Sequence, residues 1–191
     1  MIRRDMEKSF LLFTQDDHAR LSGELARHYG NRFFAKAEPL EETIRAVARH
    51  DCGWPLHDQM PTLNKDGLPL DVPLRLGLAV RSDLAEEERL RRNHNIVQTM
   101  DRISLGLCCT ELVFEKIEGI VPRPGAAAAT LNFVRTNDFA LQVAPWPFDQ
   151  ERIEVEIAYR AVPAAKYDDV EEFRRAYAGA EQMRMKMTVH H

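Results

Sequence analysis

The spacing of apolar residues separates a helical first part of the chain from a strand-rich second part. Apolar side chains recur at helical spacing in three segments, which predicts helices over residues 14–29, 39–52 and 83–114. Further on, apolar and polar residues alternate with period two, which is typical of half-buried strands. The alternating runs are LNFV at 131–134, FALQV at 139–143 and RIEVEIAY at 152–159. They predict a three-stranded antiparallel unit.

Residues with capping preferences mark the ends of these helices. Thr14 with Asp17 three residues later resembles a capping box, with Asp in the position of Glu. Pro39 is favoured at the first position of a helix, and Gly53 is a typical C-cap. Asp83 opens the third helix. The boundaries therefore agree with the apolar spacing.

The remaining segments are assigned from local composition. Residues 9–14 read as a short buried strand, and residues 54–83 are rich in Pro and predict an irregular stretch. A last helix is predicted over VEEFRRAYAGAEQM after Asp169, and His190 and His191 are predicted to form a tail. The sequence thus predicts one domain, residues 1–191, with a helical core over 1–125 and a β-rich addition plus the final helix over 126–191.

Composition narrows the function classes. A formal net charge of −4 argues against nucleic-acid binding, which usually needs a basic surface. Three cysteines, two of them adjacent, do not make a disulfide framework and fit a reducing compartment. The opening MIRRDMEKSF is not followed by the apolar region of a secretory signal, and no apolar run approaches the ~20 residues that span a bilayer. We expect a cytoplasmic protein with no membrane partner; the oligomeric state is open.

Four residues in the order H…HD…D carry the candidate chemistry: His18, His50, Asp51 and Asp101. Each falls on or beside a predicted helix, so three helices could meet at one ion. Two imidazoles and two carboxylates suit one divalent ion, with Fe²⁺, Mn²⁺, Co²⁺, Ni²⁺ or Zn²⁺ favoured over Ca²⁺ or Mg²⁺. Asp101 interrupts an apolar segment, where a carboxylate is costly unless it is paired or metal-bound.

Longer sequence segments around these residues resemble known protein families. QDDHARLSGELARHYG, ARHDCGW and MDRISL, within residues 8–110, resemble the DUF3891 proteins, and H…HD…D resembles the metal site of the HD superfamily of phosphohydrolases. The resemblance implies a mainly α, HD-domain-like helical core with a small C-terminal antiparallel β unit, α+β overall. It also implies His18, His50, Asp51 and Asp101 as metal ligands. The ion would hold a phosphate oxygen and activate water.

The function this implies is metal-dependent hydrolysis of a phosphate ester, such as a nucleotide or a small phosphorylated metabolite. Asp51 could both ligate the ion and accept the proton of its water. Because imidazole ligands must be neutral, metal affinity should fall from about pH 7.5 to about pH 5.5. The alternative is a non-catalytic HD-like protein that binds a metal or a small ligand.

Simpler interpretations stand beside this one. His18 could lie on the surface near a helix N-terminus, and His50 could be a histidine favoured by a helix dipole. Asp101 could pair with an arginine. Ser22 and Ser104 could orient ligands or be ordinary polar residues of a helix. Surface, loop or packing roles are favoured for Trp54, His57, Asp58 and His94, although His57-Asp58 could close over the site.

Overall fold

A curled sheet of mixed strand directions is the largest unit of the computed structural model. The structure describes residues 1–71, 88–110, 112 and 115–191, without the side chains of residues 88–92. Within these residues the sheet has seven strands in the order β1-β2-β6-β7-β5-β4-β3. Neighbouring strands are antiparallel, except that β5 and β7 are parallel. The strands are β1 Ile2–Asp5, β2 Ser9–Phe13, β3 Lys116–Ile120, β4 Ala129–Asn137, β5 Ala140–Ala144, β6 Arg152–Pro163 and β7 Gln182–His190.

Helices cover both faces of this sheet. The helices in the described residues are α1 Gln15–Arg27, α2 Leu40–Val47, α3 Pro55–Gln59, α4 Glu88–Cys108 and α5 Val170–Gly179. On one face α1, α2 and α4 contact one another, and their apolar side chains share the larger core with Leu11 and Phe13 of β2. On the other face Phe173 of α5 packs with Phe10 and Leu12. Strand β2 is therefore a continuous apolar run because both of its faces are buried.

The prediction of a mainly α, HD-domain-like core with a small β addition is wrong for this fold. Strands from both parts of the chain enter one sheet, with β1, β2 and β3 preceding residue 126. The predicted three-stranded unit is also corrected. Strands β4 and β5 form an antiparallel hairpin around residues 138–139, but β7 lies between β5 and β6. The predicted histidine tail is the end of β7, where His190 pairs with Arg152. The prediction of a single domain stays a prediction.

The predicted starts of α1 and α5 agree with the structure, whereas the predicted ends of the helices differ from it. Thr14 caps α1, and its Oγ1 accepts the backbone N–H of Asp17 at 3.0 Å, which confirms the predicted cap. Helix α2 ends at Val47 rather than at 52, and tight turns carry the chain on through His50. Helix α4 ends at Cys108 rather than at 114. The start predicted at Asp83 lies outside the described residues.

No helix within the described residues has the length and the apolar character to cross a membrane.

Candidate metal centre

Three polar side chains from separate segments meet between the helices. His18 lies in the first turn of α1, His50 in the turns after α2, and Asp101 in α4. The Nε2 atoms of His18 and His50 lie 2.8 Å and 3.2 Å from Oδ1 of Asp101. Each of the three residues offers one ligand atom, and these atoms all lie within 4.8 Å of one another. That spacing suits three ligands around one ion.

Asp51 lies at the edge of this group. Its Oδ2 is 3.3 Å from Nε2 of His50, and the side chain is 3 % exposed. Its Oδ1 is buried and has no hydrogen-bond partner in the part of the chain that the structure describes. A buried carboxylate oxygen without a partner is costly. Asp51 therefore has a free oxygen beside the three convergent side chains.

Backbone and hydroxyl groups orient both imidazole rings. The Nδ1–H of His50 donates to the carbonyl oxygen of Val47 at 2.7 Å, an atom that can only accept. Nδ1 of His18 lies 2.8 Å from Oγ of Ser104. In both rings Nδ1 is therefore engaged away from the centre, and Nε2 faces Asp101. Such partners fix the ring orientation and the tautomer of metal-binding histidines.

A close contact between α1 and the residue after α2 places these segments. A Cβ atom built on Gly23 would lie 2.5 Å from Cβ of Ala48 and 3.0 Å from its Cα. No side chain fits there, so Gly23 lets Ala48 approach the helix. Ala48 directly precedes Arg49 and His50, and the contact therefore brings the His50-Asp51 turn close to His18.

The electrostatics of the centre show strong coupling between the histidines and Asp101. Burial alone would lower the pKa of His50, but its hydrogen bonds with Asp101 and Asp51 outweigh that effect and raise the pKa to about 10. Burial would likewise raise the pKa of Asp101, but hydrogen bonds from His18 and His50 hold it well below its usual range. The site thus favours positive charge next to its carboxylates.

The donor set fits a divalent cation. Because Nδ1 of His50 holds a proton against Val47, a neutral His50 directs the lone pair of Nε2 toward two carboxylate oxygens. That arrangement is repulsive unless a proton or a cation lies between them. Asp51, whose Oδ2 lies 3.3 Å from Nε2 of His50, adds a second carboxylate close to such a cation. His18, His50 and Asp101 could hold such an ion, with Asp51 beside it.

The simpler interpretations of these residues disagree with the structure. His18 is 1 % exposed, so it is not a surface residue, and Asp101 contacts two histidines. The His50-Asp51 pair follows α2 in a turn and is not in its last helical turn. His50 and Asp101 keep small exposed fractions of 9 % and 18 %. Of the three side chains, these two are therefore the more exposed to solvent.

The other polar residues noted in the sequence lie elsewhere or outside the group. Asp58 is buried, and its Oδ2 accepts the N–H of Gln15 at 2.7 Å, which stabilises the start of α1. The exposed His57 packs its ring 5.3 Å from that of Trp54. His94 is half-buried in α4 and is not part of the three-residue group. Neither His57 nor Asp58 belongs to the three-residue group, and both have the partners named here.

Two features of the centre were not foreseen from the sequence. The carbonyl of Val47 and the contact between Gly23 and Ala48 both belong to the backbone path. A glycine inside the apolar pattern of a helix was the available signal for the second, since it costs helix stability unless something packs against it. The hydrogen bond of His50 to the backbone carbonyl of Val47 leaves no corresponding signal in the sequence.

Comparison with known protein families places the chain. The family model described as "Protein of unknown function (DUF3891)" matches residues 1–74 and 73–164. The chain belongs to the DUF3891 family. The matched residues include His18, His50, Asp51 and Asp101, and strand β7 lies beyond them. Neither the curated proteins nor the solved structures give a match to this DUF3891 chain.

Proposed function

We propose that this DUF3891 protein is a metal-dependent phosphohydrolase that acts on a phosphate ester, such as a nucleotide or a small phosphorylated metabolite. The observation that carries the proposal is the convergence of two Nε2 atoms on one oxygen of Asp101, beside a buried carboxylate with a free oxygen. The H…HD…D pattern, which resembles that of HD phosphohydrolases, supports it.

In this proposal three residues hold the ion and Asp51 accepts a proton. His18, His50 and Asp101 would hold one divalent ion, with Fe²⁺, Mn²⁺, Co²⁺, Ni²⁺ or Zn²⁺ favoured by two imidazoles. When bound, the ion would polarise a phosphoryl oxygen and lower the pKa of a coordinated water. Three protein ligands leave coordination positions for water and substrate.

Asp51 is the candidate general base. Its Oδ1 has no partner among the described residues, so the oxygen is available to accept a proton. Its Oδ2 lies 3.3 Å from Nε2 of His50, which places the carboxylate at the edge of the centre. Burial among these groups keeps bulk water away from the carboxylate and strengthens its electrostatic interactions.

A panel of phosphate esters tests the proposal. Wild-type protein and the Asp51→Asn variant are compared in buffer with Mn²⁺, Fe²⁺ or Zn²⁺. Removal of a general base costs roughly 10²–10⁴-fold in turnover. Asp66→Asn, which changes an exposed carboxylate on a turn, is the matched control and should keep wild-type turnover. Full activity of Asp51→Asn would rule out this assignment.

A non-catalytic metal-binding protein is the second candidate. Within the described residues, His18, His50 and Asp101 are the one group whose geometry could hold an ion, so a second metal has no ligand set there. The group is also largely buried, as a structural metal site would be. Uptake of about one equivalent of metal without turnover of any ester on the panel would favour this candidate.

A further inference from the structure

Ser104 contacts the candidate ligand His18 at two atoms. It lies in α4, one turn after Asp101, and is fully buried. Its Oγ is 2.8 Å from Nδ1 of His18 and 3.2 Å from the carbonyl oxygen of the same residue. Helix α4 therefore touches both ring nitrogens of His18, with Asp101 at Nε2 and Ser104 at Nδ1.

The two contacts suit a ring whose Nε2 binds a cation. A neutral imidazole carries one proton, and a cation at Nε2 requires the lone pair there, so the proton must be on Nδ1. Oγ of Ser104 then accepts this proton's hydrogen bond. The hydroxyl hydrogen of Ser104 is free to donate to the carbonyl oxygen of His18, and both groups are satisfied.

Comparison with the imidazole of His50 shows what Ser104 contributes at His18. Nδ1 of His50 faces the carbonyl of Val47, which can only accept, so the backbone fixes that tautomer. The partner of His18 is a side-chain hydroxyl, which can accept or donate. Without it, Nδ1–H would be buried and unpaired, and the ring would favour a proton on Nε2 that donates to Asp101.

We propose that Ser104 is a positioning residue of the metal centre: it accepts the Nδ1–H of His18 and so keeps the lone pair of Nε2 on the ion. This inference rests on the metal centre proposed above. Loss of such an outer partner typically weakens metal binding by about 10–100-fold.

Ser22 offers a matched control variant. It is also fully buried, and its hydroxyl donates to the carbonyl oxygen of His18 at 3.1 Å, but within the described residues its hydrogen bonds go to backbone carbonyls and not to the imidazole. Zn²⁺ affinity is measured by chelator competition for wild-type protein, Ser104→Ala and Ser22→Ala. We expect a loss of about 10–100-fold for Ser104→Ala and less than about threefold for Ser22→Ala. Melting with chelator present shows whether each variant is folded.

A spectroscopic readout separates positioning from a structural role. In ¹⁵N-labelled, Zn²⁺-loaded wild-type protein, two-bond ¹H–¹⁵N correlations should show a proton on Nδ1 of His18 that exchanges slowly. The signal should persist in Ser22→Ala and be lost to exchange in Ser104→Ala. If Ser104→Ala does not fold, the wild-type spectrum and Ser104→Cys, which keeps a weaker acceptor, carry the test.

The outcomes distinguish this inference from the function itself. Wild-type protein that binds no Zn²⁺ overturns the centre and with it the role of Ser104. Wild-type protein that binds Zn²⁺ while Ser104→Ala binds equally well overturns the role of Ser104 alone. The same holds if Nδ1 of His18 carries no proton in the Zn²⁺-loaded wild-type protein.

Discussion

Substitution of Gly23 by alanine tests the packing that brings together the two segments that carry His18 and His50 of the candidate metal centre. The added Cβ would lie 2.5 Å from Cβ and 3.0 Å from Cα of Ala48. Neither atom is the end of a flexible side chain, so α1 and the backbone after α2 must move apart. Overpacking of this kind costs roughly 1–3 kcal/mol.

The helix itself opposes part of this loss. Alanine is favoured over glycine inside a helix by up to about 1 kcal/mol. Because the added Cβ would clash with two atoms of Ala48, we place the overpacking cost in the upper part of its range, and the expected net loss in the free energy of unfolding is about 1–2 kcal/mol. For a chain of this size each 1 kcal/mol lowers the melting temperature by roughly 2–4 °C. We expect Gly23→Ala to melt about 2–8 °C lower than wild type with chelator present.

Thermal melts followed by circular dichroism measure this change, and Zn²⁺ titration measures its effect on the centre. Because Ala48 is two residues before His50, Zn²⁺ affinity should fall as well. Gly179→Ala is the matched control, since a Cβ at the end of α5 would meet no atom within 4 Å. A Gly23→Ala protein as stable as Gly179→Ala, with unchanged Zn²⁺ affinity, would refute the reasoning.

Three further predictions concern the cap of α1, the end of α4 and pH. Thr14→Ala removes the cap of α1 and should cost about 1 kcal/mol in urea unfolding, while Thr14→Ser should restore it. Arg4→Met leaves the carbonyl of Leu107 without its 2.6 Å partner and should cost roughly 1–3 kcal/mol in the same assay; an unchanged midpoint would contradict this. Without metal, hydrogen bonds with Asp101 and Asp51 raise the pKa of His50 to about 10, above its unfolded value, so its stabilising contribution is complete below about pH 6.5 and is lost as the pH rises toward 10. The melting temperature of metal-free protein should therefore fall from about pH 7 to about pH 10. Over the same range the increase in melting temperature that Zn²⁺ gives should grow, because fewer protons compete with the ion for His50. Melting temperatures that change in parallel with and without Zn²⁺ would contradict this.

The raised pKa of His50 also changes the pH range over which metal affinity is expected to depend on pH. An unperturbed histidine has a pKa near 6.5, and from the sequence alone protons are therefore expected to compete with the metal only below about pH 7.5. Hydrogen bonds with Asp101 and Asp51 extend the competition to higher pH at His50. Sequence alone does not show which carboxylates a histidine will touch.

Local signals in the sequence predicted local structure well. The cap at Thr14, the buried strand predicted over residues 9–14 and the alternating run of β6 all correspond to structure at or within one residue of the expected places. Each depends on interactions within a few residues of the chain. The segment QMRMKMTVH also alternates with period two, but its first residues continue the apolar pattern of the preceding helix, which hides the start of β7 from a local prediction.

The sheet depends on contacts between distant segments. Strand β2 pairs with β6, about 150 residues later, and β5 pairs in parallel with β7. No local pattern specifies these neighbours, and this is why the helical core and the β addition were placed in separate parts. The mainly helical fold that the H…HD…D pattern implied is therefore wrong, since the structure is mostly a curled sheet.

The candidate site was easier to predict from the sequence than the fold. The spacing of His18, His50 and Asp101 along three segments suggested that they meet, and the structure brings them together. Asp51 lies beside them with its Oδ1 directed to no described partner. The role of these residues as metal ligands stays a prediction until an ion is measured.

Metal content of untagged protein after reconstitution tests the central claim most directly. Elemental analysis of wild-type protein dialysed against Mn²⁺, Fe²⁺ or Zn²⁺ should give about one equivalent per chain. His50→Ala should hold almost none, and His57→Ala, which changes an exposed histidine outside the group, should match wild type. Wild-type protein without bound metal, or equal content in wild type and His50→Ala, would contradict the account.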